Sequence, residues 1–200
     1  RLLGSSLVVG SMTMLSRVMG LLRDVVIARF FGAGENADAF FVAFRIPQFL
    51  RRLFAEGAFA QAFIPVLAEY RNAREQTGDL AALRLLVNAV CGVLGGALLL
   101  ITSVVVMSAP LVTMVFAPGF INQPEKFELT VALLRITFPY LLLISLTGFA
   151  GAILNSYDRF VVPAFTPVLL NASLIACALW LSPHLAEPVF ALAWGVVLAL

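Results

Sequence analysis

Charge is scarce in this 200-residue sequence. Asp, Glu, Lys and Arg together make up 12% of it, against roughly 25% in an ordinary soluble domain. With 62% hydrophobic residues and a mean hydropathy of +1.01, it lacks the polar groups to coat a water-facing surface. The chain reads as a polytopic membrane protein. A net charge of only +2 supplies no basic surface for nucleic acid. The two cysteines, Cys91 and Cys177, stand in apolar runs without metal-ligand spacing and are expected as buried small hydrophobes. The single histidine, His184, falls in a predicted loop, and no Asp/Glu pair within the apolar runs has metal-ligand spacing. Chemistry on polyprenyl phosphates usually needs carboxylates around a metal or a nucleophile with a base. No catalytic residue, metal or cofactor is therefore expected. The first apolar run is also not expected to be a cleavable signal sequence, because Arg17 and Arg23 interrupt it.

What is present is a series of apolar stretches of membrane-spanning length. Leu85 to Met107 is free of charge and holds Gly92 and Gly96 at close-packing spacing. Leu129 to Leu154 contains Arg135 and a mid-helix Pro139 that should kink it, and Phe160 to Leu181 has Pro163 and Pro167 near its start. Val189 to Leu200 begins a further span, while Leu2 to Phe31 and Ala39 to Leu67 complete the set and are unusually polar. The segment 108–120 either extends the third span or lies along the membrane interface. Arg1 at the start and an uncapped apolar run at the end read as a fragment of a longer chain.

Arginines concentrate in alternate connections: Arg1, then Arg71, Arg74 and Arg84, then Arg159. The positive-inside rule makes these cytoplasmic, which gives six spans with the N-terminus inside.

Seventeen of the 24 charged residues precede Leu85, several of them inside the first two spans. A charge at the centre of a membrane helix costs at least about 2.5–3.5 kcal/mol, so it must face a polar cavity or a partner. In "SRVMGLLRDVVIARFFGAG", Arg17 and Asp24 share a helical face with Gly20 between them, and Arg23 stands one step round. In the second span Asp38, Arg45, Arg52 and Glu56 lie near one stripe, with Arg51 adjacent. Asp24 can pair with Arg17 or Arg23, and Glu56 with Arg52. Arginines still outnumber acids, and the surplus suits an anionic substrate, since a guanidinium presents a planar fork to phosphate oxygens. Arg29 and Arg45 lie near span ends, where a snorkelling role competes with substrate contact. Arg51, Arg52 and Glu56 read equally as a structural ion-pair group on a long helix. Arg135 either reaches a carboxylate on another helix or lines the same cavity. Between the first two spans, Gly32 and Gly34 permit a left-handed helix end, Asn36 is a candidate N-cap, and Asp38 sits in a favourable first turn. The same turn is a candidate gate. Asn171 needs an interhelical hydrogen bond, and "NSYDRF" reads as a capping turn.

The block from Ser11 to Tyr70, "SMTMLSRVMG…PVLAEY", together with "APGF", "ITFPYLLLISL", "GAILNSYDRF" and "PAFTPVLLN", closely resembles the MurJ (MviN) family of lipid II flippases. The resemblance implies an all-α integral membrane fold, the six-transmembrane-helix lobe of a MOP-type, MATE-like transporter. Residues 1–200 would be the N-terminal lobe with its last helix cut short and the second lobe absent. It implies a flippase that moves lipid II, an undecaprenyl-pyrophosphate-linked disaccharide-pentapeptide, from the cytoplasmic to the periplasmic leaflet by alternating access. The setting would be the bacterial cytoplasmic (inner) membrane, with membrane lipids and cell-wall synthesis proteins as further partners. The family's cavity arginines match Arg17, Arg23 and Arg51, and its cavity acid and gate-region acid match Asp24 and Asp38. The rival reading is a MOP-superfamily flippase for another polyprenyl-linked oligosaccharide.

Overall fold

The computed structural model describes residues 2–32, 34–52, 58–77, 80–157, 159 and 161–199, and their regular structure is helical throughout. The helices in chain order are α1 (Leu2–Phe31), α2 (Glu35–Arg51), α3 (Ala58–Thr77), α4 (Ala81–Met107), α5 (Ala109–Phe116), α6 (Pro124–Thr137), α7 (Tyr140–Ser156), α8 (Val161–Ala176) and α9 (Phe190–Leu198). Three helical runs among the described residues are long and apolar enough to cross a membrane: Ala81–Met107, Pro124–Ser156 and Val161–His184.

The breaks follow local chemistry. α1 ends where Gly32 takes φ of 65°, a left-handed conformation that a Cβ would strain. α2 starts from Gly34, which caps it without a side-chain hydrogen bond, so Asn36 lies inside the helix rather than at its cap. Pro139 lacks an amide donor and divides the 33-residue run Pro124–Ser156 into α6 and α7, as its position in the sequence predicts. Pro124 occupies the first turn of α6, where the missing donor costs least. α8 continues through a π-helical stretch, Cys177–Leu181, into a 3-10 turn, Ser182–His184.

Within the stretch Ala39 to Leu67, α2 packs chiefly on α6 and α7, and α3 packs on α4 and α7. Residues 53–57 between them, Glu56 included, lie outside the described residues. The segment 108–120 does not extend α4 as one helix. α4 stops at Ser108, and α5 with the 3-10 turn Pro118–Phe120 packs against α6. One expectation needs correction: Cys91 is exposed rather than buried, since α4 is little covered within the bundle; Cys177 is buried, and both thiols are free.

The main core joins α2, α6, α7, α8 and α9 around Phe40, Phe44, Leu134, Phe138, Tyr140, Leu174 and Val196. Phe44 stacks with Phe40 at 5.7 Å and meets the Tyr140 ring edge-on at 5.5 Å. A smaller cluster of Phe63, Leu67, Leu83 and Phe149 ties α3 and α4 to α7, with the two phenyl rings 4.9 Å apart. α1 stands at the edge of the bundle and packs mainly along α8. Many of its apolar residues, among them Val18, Leu21 and Val25, remain exposed.

Candidate functional site

A cavity of about 770 Å³ opens between α1, α2, α7 and α8, with Ile64 of α3 at its edge. That volume is typical of a small-molecule site. Its walls repeat at helical spacing. α7 contributes 140, 144, 147, 148, 151, 152, 155 and 156, and α8 contributes 163, 166, 167, 170 and 171. Steps of three and four residues hold one face of a helix toward a common space. Tyr140 and Ser156 begin and end α7, so the cavity runs its whole length, about 24 Å at 1.5 Å per residue.

Charge enters from the opposite wall. Arg23 of α1 and Arg51 and Arg52 at the end of α2 line the cavity, and no acidic residue is among the described residues lining it. Arg51 is half-buried and Arg52 exposed. The α7 and α8 wall is neutral, with Tyr140, Thr147, Asn155, Ser156, Thr166 and Asn171 as its hydroxyl and amide groups. Asn155 therefore lines the cavity, where the sequence suggested only a capping turn.

Arg23 is held by three hydrogen bonds. Its Nε and Nη2 donate to Asp24 Oδ1 at 2.9 and 2.7 Å, and its Nη1 donates to Asn171 Oδ1 at 3.0 Å. Asn171 Nδ2 in turn donates to the Ser16 carbonyl at 3.2 Å. This supplies the interhelical bond that Asn171 needs, and it fastens α8 to α1. Gly20 lies beside that amide: a Cβ there would be 3.7 Å from Asn171 Nδ2. Of the alternatives for Asp24, the pair formed is with Arg23.

The other sequence candidates are dispersed. Arg17 is exposed and lines neither this cavity nor a second, smaller one. The second cavity, about 190 Å³, is bounded by Arg23, Arg45, Gln48 and the rings of Phe40, Phe41 and Phe44, so Arg23 and Gln48 form the wall common to both. Arg135 is likewise exposed and outside both cavities. Asp38 lies elsewhere again, in the first turn of α2. There its Oδ2 accepts from Lys126 Nζ at 3.2 Å. Lys126 belongs to the first turn of α6 and is buried. Its ammonium lies 4.3 Å over the Phe120 ring.

Asn171 and Gln48 are the cavity residues that charge counting does not find. Their signal was available in helical spacing, since Gln48 precedes Arg51 and Arg52 by three and four residues, and Asn171 follows Pro167 by four.

A family model described as lipid II flippase MurJ matches residues 27–200. The probable lipid II flippase MurJ of Vibrio cholerae serotype O1 is 48% identical over 99% of this chain, and 38% of that protein is covered. The lipid II flippase MurJ of Burkholderia cenocepacia is 50% identical over 96% of this chain and 36% of its own length. Among solved structures, a lipid II flippase MurJ in an inward closed conformation superposes with a TM-score of 0.67 at 28% identity. That match covers 96% of this chain and 40% of the other. The chain thus spans well under half the length of the relatives it matches.

Proposed function

The chain belongs to the lipid II flippase MurJ family, and from that membership we propose that it forms the N-terminal lobe of a lipid II flippase. The lobe lies in the bacterial inner membrane with its N-terminus in the cytoplasm. It moves the lipid-linked peptidoglycan precursor from the cytoplasmic to the periplasmic leaflet by alternating access.

One observation carries this reading. Among the described residues lining the cavity are three guanidiniums and no carboxylate, between walls that are otherwise apolar or neutral. Surrounded by low-dielectric walls, guanidiniums attract an anionic group more strongly than they would in water. Each guanidinium can grip phosphate oxygens in pairs. The cavity extends toward Asn155 and Ser156, the end of the bundle that the arginine-rich connections assign to the cytoplasm. A diphosphate headgroup would therefore enter from that side while its polyprenyl chain stays in lipid. Arg17 and Asp24 join the site from the exposed face of α1 once a second lobe closes over it. Such a device binds and moves its cargo without making or breaking a bond.

The test is leaflet-resolved lipid II in cells depleted of the intact protein. Periplasmic-leaflet lipid II falls and the cytoplasmic pool rises on depletion. Wild type restores it and Arg23→Ala does not. If lipid II still reaches the outer leaflet with no other flippase present, the cargo is wrong. Another polyprenyl-linked oligosaccharide then takes its place.

A further inference from the structure

We propose that Asn171 is a positioning residue. It turns Arg23 so that the two terminal nitrogens of its guanidinium face the cavity as a preset fork for a diphosphate. This deepens the reading of the cavity as an anionic headgroup site and rests on it.

A guanidinium has five N–H donors: one on Nε and two on each terminal nitrogen. The bonds to Asp24 use the Nε donor and one on Nη2, and the bond to Asn171 uses one on Nη1. One donor is left on each of Nη1 and Nη2. That pair matches the oxygen spacing of a phosphate.

Both clamps are needed to fix this orientation. Asp24 holds only the Nε–Nη2 edge, and it is itself 57% exposed. An exposed carboxylate beside its own sequence neighbour is a weak and mobile restraint. Asn171 is different: it is 6% exposed and sits on another helix. The bond from its Nδ2 to the Ser16 carbonyl fixes which way the amide points. With the amide oxygen aimed at Nη1, the guanidinium plane is set by the α1–α8 seam and not by its flexible stem. Preorganising a donor pair in this way reduces the entropy lost when an anion binds.

A helix-seam amide and a positioning amide differ in one measurable respect. If Asn171 acts through Arg23, its loss matters only while the fork exists. The experiment is a double-mutant cycle on the intact protein in detergent, with Asn171→Leu and Arg23→Lys separately and together. The readouts are affinity for undecaprenyl diphosphate and melting temperature. Lysine keeps the charge and abolishes the fork. Asn171→Leu is expected to weaken binding about tenfold, the scale of a lost charge-assisted hydrogen bond. The same change in the Arg23→Lys background is expected to alter affinity by less than about twofold. Asn171→Ala runs the same cycle without the bulk of leucine. Equal losses in both backgrounds overturn the inference and leave Asn171 as packing. If wild type itself binds no undecaprenyl diphosphate, the reading of the cavity fails, and this inference fails with it.

Discussion

Lys126 in the first turn of α6 donates to Asp38 in the first turn of α2 across 3.2 Å. The two ends of the pair live in different surroundings. The lysine side chain is 9% exposed, under the shelter of Phe120, and the aspartate is 62% exposed. Removing one partner is therefore not equivalent to removing the other.

Asp38→Asn leaves a buried ammonium with weaker compensation, whereas Lys126→Met leaves a carboxylate that water already reaches. Asp38→Asn is expected to cost about 1–3 kcal/mol, and Lys126→Met less than about 1 kcal/mol. Thermal melting of the purified protein checks the order. Hydrogen exchange in the first turn of α2 should rise in the first variant more than in the second. The opposite ranking would mean that Phe120 alone stabilises the ammonium.

Glycines give a second ordered series, set by what a methyl group would meet. At Gly20 the nearest atom would be 3.7 Å away, an ordinary contact. At Gly151 the Pro163 ring would lie at 3.3 Å, and at Gly195 a Cβ would come within 3.2 Å of the Leu174 backbone. A side-chain neighbour can yield by a few tenths of an ångström; backbone cannot do so as cheaply. Gly195→Ala is expected to cost the most, within the roughly 1–3 kcal/mol of overpacking. Gly151→Ala should follow, and Gly20→Ala should be nearly silent. Melting temperatures of the three variants test the ranking.

Much of this architecture was legible in the sequence, and the exceptions share a cause. Gly32 as a left-handed helix end, Pro139 as a break, and an amide partner for Asn171 were all local consequences of residue type. The burial of Lys126 was not legible locally, since its partner Asp38 is 88 residues away. The cavity was half legible. Arg23 and Arg51 announce themselves as costly charges in apolar runs. The threonine, asparagine and glycine positions of α7 carry no such cost, and only their spacing marks them. Cys91 was misread for a further reason. In a membrane helix an exposed position is as apolar as a buried one, so composition does not separate lipid-facing from core-facing residues.

In the second half of α3, Arg71 donates through Nη1 to the carbonyl of Ser156 at the end of α7 and lies 5.9 Å from the Tyr157 ring. The last carbonyls of a helix lack partners within it, and a cation there also meets the negative end of the dipole. Arg71→Gln retains some hydrogen bonding and loses the charge, so it should be destabilising by about 0.5–1.5 kcal/mol. Arg71→Leu should cost more. Because Ser156 ends the cavity wall, the α3–α7 junction should also become more accessible, read as faster labelling of a cysteine at position 155. Unchanged labelling in both variants would show that Phe63 and Phe149 hold the junction alone.

The remaining prediction separates space from hydrogen bonding in the cavity. Thr147 stands midway along the α7 wall, and its hydroxyl donates to the Leu143 carbonyl of its own helix at 2.9 Å. The oxygen keeps acceptor capacity, but the donor is spent. Thr147→Val keeps the volume and removes the hydroxyl. Thr147→Trp fills part of the 770 Å³ space without disturbing the buried side of α7, since Thr147 is only half-buried. Both variants should accumulate and melt like wild type, within about 0.5 kcal/mol. Thr147→Trp should abolish support of growth in cells that depend on the intact protein, and Thr147→Val should retain it. If valine fails as well, the oxygen takes part in holding the cargo, and the neutral wall has a recognition role beyond leaving room. If tryptophan is tolerated, the headgroup does not pass through this cavity, and the assignment of the site to the α1–α2–α7–α8 gap is wrong.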